Sequence, residues 1–210
     1  MENPHVNYKK IIMETNSKMF NVKDEYKNNT VEQNQFVCHL DRLPFSVGCI
    51  NLTGELNVGT MIRTASLLGA ENFYIFGRKK FDKRSTVGAE KYIHIVQSTY
   101  DDPLNADQQI LEDLRKLPHT IVVCEQGGVT LGTEDANILY LSVKNSHPLF
   151  LFGSESNGIP QLILDQMDSS GYPDYEFPRI SIPQRGVLRS FNVSAAMAIV
   201  CWDYCKTMFY

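Results

Sequence analysis

Residues 147–167 read HPLFLFGSESNGIPQLILDQM. An apolar run, Leu149 to Phe152, stops at Gly153, crosses a short polar turn and restarts as an amphipathic segment behind Pro160. Runs this short and this continuously apolar suit strands buried on both faces, and proline suits the first turn of a helix. The unit therefore predicts strand, turn, helix. The same alternation recurs outward. On the N-terminal side, SVGCINL (46–52), NFYIFG (72–77), YIHIVQ (92–97) and HTIVVCEQ (119–126) read as strands. VGTMIRTASLLG (58–69), closed by Gly69, and ADQQILEDLRKL (106–117) read as helices between them. On the C-terminal side, YEFPRISIP (175–183) is extended because its prolines disfavour helix, and SFNVSAAMAIVCWDYCKTMF (190–209) is a long helix. The pattern predicts an α/β fold: a mostly parallel sheet with helices on both faces. Ligands in such sheets sit beyond the carboxyl ends of the strands, which directs attention to the polar segments after strands one and five and to the stretch following residue 180.

The chain has 210 residues, 43% of them hydrophobic, which is enough for a core and excludes global disorder. Twenty Lys and Arg against 24 Asp and Glu give a formal net charge of −4, which excludes a uniformly basic nucleic-acid wrapper but not a local basic patch. The five cysteines (38, 49, 124, 201 and 205) form no C-x-x-C pair, so reduced and mostly buried thiols are expected. Cys201 and Cys205 share a helix face, where core packing is the better reading than a metal pair. No apolar run reaches the length of a membrane span, and the N-terminus lacks a signal-peptide core. A soluble, cytoplasmic protein without membrane contact is the expectation. Residues 1–35, polar with balanced charge, are expected to be an arm or tail with at most a short helix, and residues 36–210 the folded domain.

Three segments carry most of the chemical signal. In NLTGELNVGTMIRTASLLGA (51–70), Asn57 lies near a helix start, Gly59 permits close approach of another backbone, and Arg63 follows on the helix. Taken alone, a capping Asn and a solvent-facing Arg explain the pair as well as a reactive site does. The spacing is not that of a dinucleotide-binding fingerprint. In LFLFGSESNGIP (149–160), Gly153 and Gly158 expose backbone groups in a tight turn that also holds Ser154 and Glu155. A plain turn with a solvated Glu is the competing reading. In ISIPQRGVLRSFNVSAAMAIVCWDY (180–204), a proline-led loop leads to Ser190 as the expected helix cap, with Asn192 in the first turn.

Together the segments resemble, in order and spacing, the three motifs of the SpoU/TrmH-type RNA ribose 2′-O-methyltransferases of the SPOUT class. The first is carried by Asn57, Gly59, Arg63, Thr64, Ala65 and Gly69. The second is Gly153, Glu155, Gly158, Ile159 and Pro160. The third is Ile182, Pro183, Gly186, Ser190, Phe191, Asn192, Val193 and Ser194. The resemblance spans about residues 45–207. It implies a C-terminal trefoil knot (the alpha/beta knot), which no periodicity could suggest since knots are nearly absent among folds. It also implies a homodimer with the active site at the subunit interface. The implied cofactor is S-adenosylmethionine, leaving as S-adenosylhomocysteine, with no metal. Its expected contacts are Glu125, Gln126, Gly127, Gly153, Ser154, Glu155, Gly158, Ile182, Gln184, Gly186, Ser190, Phe191 and Asn192. Gly127 and Gly128, placed after the fourth strand, suit that role.

The implied reaction is methyl transfer to a ribose 2′-hydroxyl of RNA. Within the family the third motif and the closing Trp202-Asp203-Tyr204 look closest to tRNA guanosine-18 enzymes. Ribosomal RNA, a tRNA wobble ribose, or a non-catalytic RNA-binding member of the fold are the alternatives. The implied catalytic set is Arg63, Asn57, Glu155, Ser190 and Asn192, with Arg63 first. A guanidinium is a poor free base, so stabilising a developing alkoxide is the safer physical role for it. RNA contact is assigned to Arg78, Lys79, Lys80, Lys83 and Arg84 in RKKFDKRSTVGAEK (78–91), where six of fourteen residues are basic. Arg185 and Arg189 join them, with Arg179 in the same basic spacing. A solvated surface loop is the alternative for 78–91. Residues 101–135, with eight acids and two bases, are expected to face away from RNA. No contact with DNA is expected.

Overall fold

The structure, a computed structural model, describes residues 22–51, 56–77, 81–154, 157–168 and 177–210. After a 3-10 turn at Asp24–Tyr26, helix α1 spans Val31–Leu40. It starts on a reciprocal cap: the Gln33 amide donates to Thr30 Oγ1 at 3.2 Å, and the Thr30 amide donates to Gln33 Oε1 at 2.8 Å. This helix runs across residue 35, where the arm was expected to end.

The alternating elements then follow. They are β1 (Ser46–Asn51), α2 (Leu56–Leu67), β2 (Asn72–Gly77), the single turn α3 (Lys83–Thr86) and β3 (His94–Ser98). Next come α4 (Ala106–Lys116), β4 (Ile121–Thr130), α5 (Glu134–Val143) and β5 (Leu149–Phe152). α6 (Gln161–Asp168), β6 (Arg179–Ser181) and α7 (Val193–Phe209) complete the chain. The six strands form one sheet in the order β3-β2-β1-β5-β4-β6, and every neighbouring pair is parallel.

Successive strand residues point to opposite faces, and both faces are covered. Val47, Phe73, Ile75, Val122, Phe150 and Phe152 pack with α2, α5 and α7 in one apolar cluster. Tyr74, Phe76, Ile121, Val123, Leu149 and Leu151 pack with α4 and α6 in the other. Cys49, Cys201 and Cys205 are buried in the first cluster, and burial pushes the Cys49 and Cys205 thiols up to about 12.

Three sequence expectations shift. Strand three begins at His94, because Tyr92 still closes a 3-10 turn at Ala89–Lys91. Helix α5 went unread; Thr133 caps it by accepting from the Ala136 amide at 3.3 Å. Gly127 and Gly128 lie inside β4, not after it. Cys124 and Val129 both pair with Ile180, so residues 125–128 leave the ladder and return to it. Gly127 makes the turn at φ +81°, a conformation that only glycine adopts without strain.

Candidate active site

The point where β4 leaves the ladder after Cys124, the carboxyl ends of β5 and β6 and the start of α7 enclose a cleft of about 770 Å3. Its position follows from the parallel sheet, whose crossover loops collect at that edge. Phe152, Ile180 and Val200 give it apolar surface, while Glu125, Ser154, Gln184 and Asn192 give it polar surface. Such a volume and mixed lining suit a small-molecule ligand.

Three chain segments are locked together here. The first is the 153–158 turn, closed by the Ser154 amide on Gly158 O at 3.0 Å and the Gly158 amide on Ser154 O at 2.9 Å. A Cβ on Gly153 would lie 2.1 Å from the Gly158 carbonyl carbon, so only glycine allows that closure. The second is the 125–128 excursion of β4. Glu125 lines the cleft, its Oε1 accepting from the Gln126 amide at 2.8 Å. Its Oε2 sits 3.3 Å from where a Gly158 Cβ would stand. The third is the loop 182–192, and the Gln126 side-chain amide donates to the Arg189 carbonyl oxygen across the cleft rim.

Asn192 joins this loop to the first motif. Its Oδ1 accepts from the Ser194 amide at 3.0 Å, Ser194 Oγ at 2.7 Å and the Ala195 amide at 3.4 Å. It is therefore the N-cap of α7, and the expectation that Ser190 caps this helix with Asn192 in its first turn is overturned. Ser190 lies two residues upstream, out of reach of the helical amides but on the cleft wall. Asn192 Nδ2 donates to Asn57 Oδ1 at 3.1 Å, bridging 135 residues of sequence.

The remaining expected residues divide. Glu125, Gln126, Gly153, Ser154 and Gly158 line the cleft, as do Ile182, Gln184, Ser190, Phe191 and Asn192. Gly127 and Gly186 do not line it. Gly127 shapes the excursion, and the site of a Gly186 Cβ meets no atom within 4 Å. Arg63 projects from α2 as an exposed side chain and is not part of the cleft wall of its own chain. Glu155, Arg78, Lys79 and Lys80 lie outside the described residues. Lys83 and Arg185 are exposed; Arg84 is exposed but its guanidinium pairs with Asp82 at 2.8 Å. Arg189, expected at RNA, also lines the cleft.

Cys124, Asn157 and Ser181 fall within the segments 124–128, 153–158 and 181–192 that the resemblance places at the donor, and sequence reading missed Phe152 and Ile180 on the cleft wall. Each sits beside an expected residue, and the signal available was adjacency to a strand end. Burial pushes the Cys124 thiol well above its ordinary value, so it is a neutral wall group. Gly59 acts beside the site: a Cβ there would fall 2.0 Å from Ser85 Oγ and 2.6 Å from Asp82 O, so the 82–86 turn packs directly on the helix of the first motif.

Comparison with known proteins adds to this geometry. Residues 44–202 match the family model described as SpoU rRNA Methylase family. The tRNA (guanosine(18)-2′-O)-methyltransferase TARBP1 of Mus musculus is 25% identical over 154 residues, covering 71% of this chain and 8% of that protein. The chain thus spans less than a tenth of that relative's length. Among solved structures, the A. aeolicus TrmH/SpoU tRNA modifying enzyme superposes with a TM-score of 0.58 at 20% identity, over 84% of this chain and 81% of its own. An AdoMet-bound rRNA methyltransferase from Sinorhizobium meliloti gives 0.56 at 19% identity, over 81% and 59%. At these identities the likeness is one of fold.

Proposed function

The chain belongs to the SpoU rRNA methylase family, and from that premise we propose that it transfers a methyl group from S-adenosylmethionine to a ribose 2′-hydroxyl of RNA, with a tRNA guanosine as the favoured target. The observation that carries this reading is the convergence of Glu125, Gln126, Gly153, Gly158, Ser190 and Asn192 on one cleft, with Asn57 tied to it through Asn192. The residues present fit the donor. Phe152, Ile180 and Val200 offer an apolar slot for a flat heteroaromatic ring, and Glu125, Gln126, Gly153, Ser154 and Gly158 offer backbone groups around it. The Glu125 carboxylate suits the donor's cationic end. The curated relative's name supports tRNA guanosine as the target.

Bound S-adenosylmethionine supplies an electrophilic methyl carbon on a positively charged sulfur, so departure of the sulfur needs no acid and no metal. What remains for the protein is alignment of the hydroxyl and help with its proton. Asn192 is held rigidly by three donors and by Asn57, which suits it to orient a ribose at the cleft mouth. Ser190 and Gln184 line the same wall and present hydrogen-bonding groups to a ligand. Arg63 serves as the electrostatic partner of the developing alkoxide.

In this reading Arg63 reaches its target in a homodimer, since it stands off the cleft of its own chain. Trp202, 52% exposed, and Ile199, 37% exposed, on α7 support an apolar face for a second copy. The C-terminal knot belongs to the same reading. The tight approach at Gly128, whose Cβ would lie 2.6 Å from the Arg179 carbonyl carbon, supports it. A cytoplasmic location is part of the proposal as well.

The test is methylation of bulk tRNA and of rRNA with labelled donor, followed by identification of the modified nucleoside, beside a titration with S-adenosylhomocysteine. Label in a 2′-O-methylguanosine of tRNA is expected. Product binding without label in either RNA would make the chain a non-catalytic member; no product binding would overturn the reading.

A further inference from the structure

Arg179, Arg185 and Arg189 read from sequence as one basic set facing RNA. The geometry separates Arg179 from the other two, which are exposed. Arg179 opens β6 and is half-buried, and its Nη1 donates to the Gln126 carbonyl oxygen at 3.1 Å. That carbonyl belongs to the 125–128 excursion, where the chain has left the β4 ladder and needs donors from elsewhere. The same Nη1 lies 3.4 Å from the site of a Gly127 Cβ, and Gly128 rests on the Arg179 backbone itself. Ser181 Oγ, two residues further along the same strand, donates to Gly128 O at 2.9 Å. Gln126 in turn grips Arg189 O through its side chain. A continuous path therefore runs from the Arg179 guanidinium, through the excursion, to the loop that closes the opposite side of the cleft.

We propose that Arg179 is a positioning residue for the methyl donor: it fixes the 125–128 excursion, and through Gln126 the 184–190 loop, in the shape that encloses the cleft. Its charge strengthens a hydrogen bond inside the protein and does not contact an RNA phosphate. A guanidinium suits this place because several donors are held in a rigid fork that can serve one carbonyl and its surroundings. The inference rests on the methyl-donor reading above.

The test compares the wild type with Arg179→Met, Arg179→Lys and Gln126→Ala. S-adenosylhomocysteine binding is measured by calorimetry, and tRNA binding is measured over a salt series. Arg179→Met is expected to weaken S-adenosylhomocysteine binding about tenfold, the loss typical of one charge-assisted hydrogen bond. KM for the donor should rise more than kcat falls, and the slope of tRNA affinity against salt should not change. Arg179→Lys should recover part of the loss, because an ammonium can still donate to the same carbonyl. Gln126→Ala, which cuts the tie to Arg189 and leaves Arg179 in place, should also weaken binding, and it reads the path independently should Arg179→Met fail to fold. Wild-type donor affinity in Arg179→Met and Gln126→Ala, or a salt slope reduced by about one phosphate contact in Arg179→Met, overturns the proposal. A wild type that binds no S-adenosylhomocysteine overturns the donor reading together with it, so the two failures are distinct.

Discussion

Asn192 does two jobs that a pair of substitutions can separate. As the cap of α7 it accepts from two backbone amides and one hydroxyl, and as a donor it reaches Asn57. Replacing it with alanine removes both. The cap is worth about 1 kcal/mol, and an exposed hydrogen bond between side chains about another 1 kcal/mol. Asn192→Ala should therefore lose about 2 kcal/mol, or roughly 4–8 °C in Tm for a chain of this size. Asn192→Asp keeps the accepting oxygen at the helix N-terminus and adds a favourable charge there, worth about 0.3–1 kcal/mol. It gives up at most the bond to Asn57. Its stability should stay within about 1 kcal/mol of the wild type. Activity should behave differently. A fixed carboxylate at the cleft rim opposes negative charge on the attacking oxygen, so turnover should fall in both variants. Urea unfolding and a methyl-transfer assay on the same preparations measure the two effects. If Asn192→Asp is as unstable as Asn192→Ala, the cap is not what Asn192 contributes, and the assignment fails.

Two further substitutions probe the scaffold. Gly59→Ala would normally stabilise a helix by about 1 kcal/mol, but here the Cβ strikes Ser85 Oγ and Asp82 O. A net loss of about 1–3 kcal/mol in urea unfolding is expected, and a gain would refute the packing of the 82–86 turn on α2. At the opposite end of the sheet, burial lowers the pKa of His119, partly offset by its bond to His147 O and by Glu71, with His147 opposing. The Nδ1 proton faces His147 O at 2.8 Å, so Nε2 accepts from Tyr74 OH at 3.0 Å. With the folded pKa below the unfolded value near 6.5, the contribution to stability is complete above about pH 6.5 and is lost as pH falls through the folded pKa. Stability measured from pH 7.5 to 5 should slope less in His119→Gln; an unchanged slope would remove His119 from the account.

The parts of the fold that sequence patterning reveals are those with a strong local period. Strands β1, β2 and β5 are short apolar runs ended by polar or glycine residues, and α4 carries Ile110, Leu111 and Leu114 on one buried face. Helix α5 hid because GluAspAlaAsnIleLeuTyrLeuSerVal exposes Ile138 and Leu141 while burying Ala136 and Tyr140, so its apolar residues mark no single face. The α7 cap was misplaced for a different reason. Ser190, Asn192 and Ser194 are all competent cap residues within five positions, and the choice depends on where the loop turns into the helix, which is set by the 182–192 segment crossing the cleft.

The charge of the molecule can now be read in place. A net charge of −4 says only that the surface as a whole is not basic. Position in the sequence then grouped the arginines by proximity, and the structure gives two of them partners within the protein. Arg84 stands in the most basic stretch, yet its guanidinium is engaged by Asp82 through Nε and Nη2. Such an exposed pair is worth little to stability, so RNA phosphate can compete for it at modest cost. Arg179 stands four residues before Pro183, yet its guanidinium is turned inward to a carbonyl that has no strand partner. A basic residue beside a motif can therefore serve the nucleic acid or the loop that carries the motif, and only the direction of its donors decides. In this chain Arg185 is exposed and Arg189 lines the cleft, while the Arg179 guanidinium holds the Gln126 carbonyl. Under the proposal for Arg179, the salt dependence of RNA binding and the affinity for the methyl donor are therefore expected to respond to different arginines of one short segment.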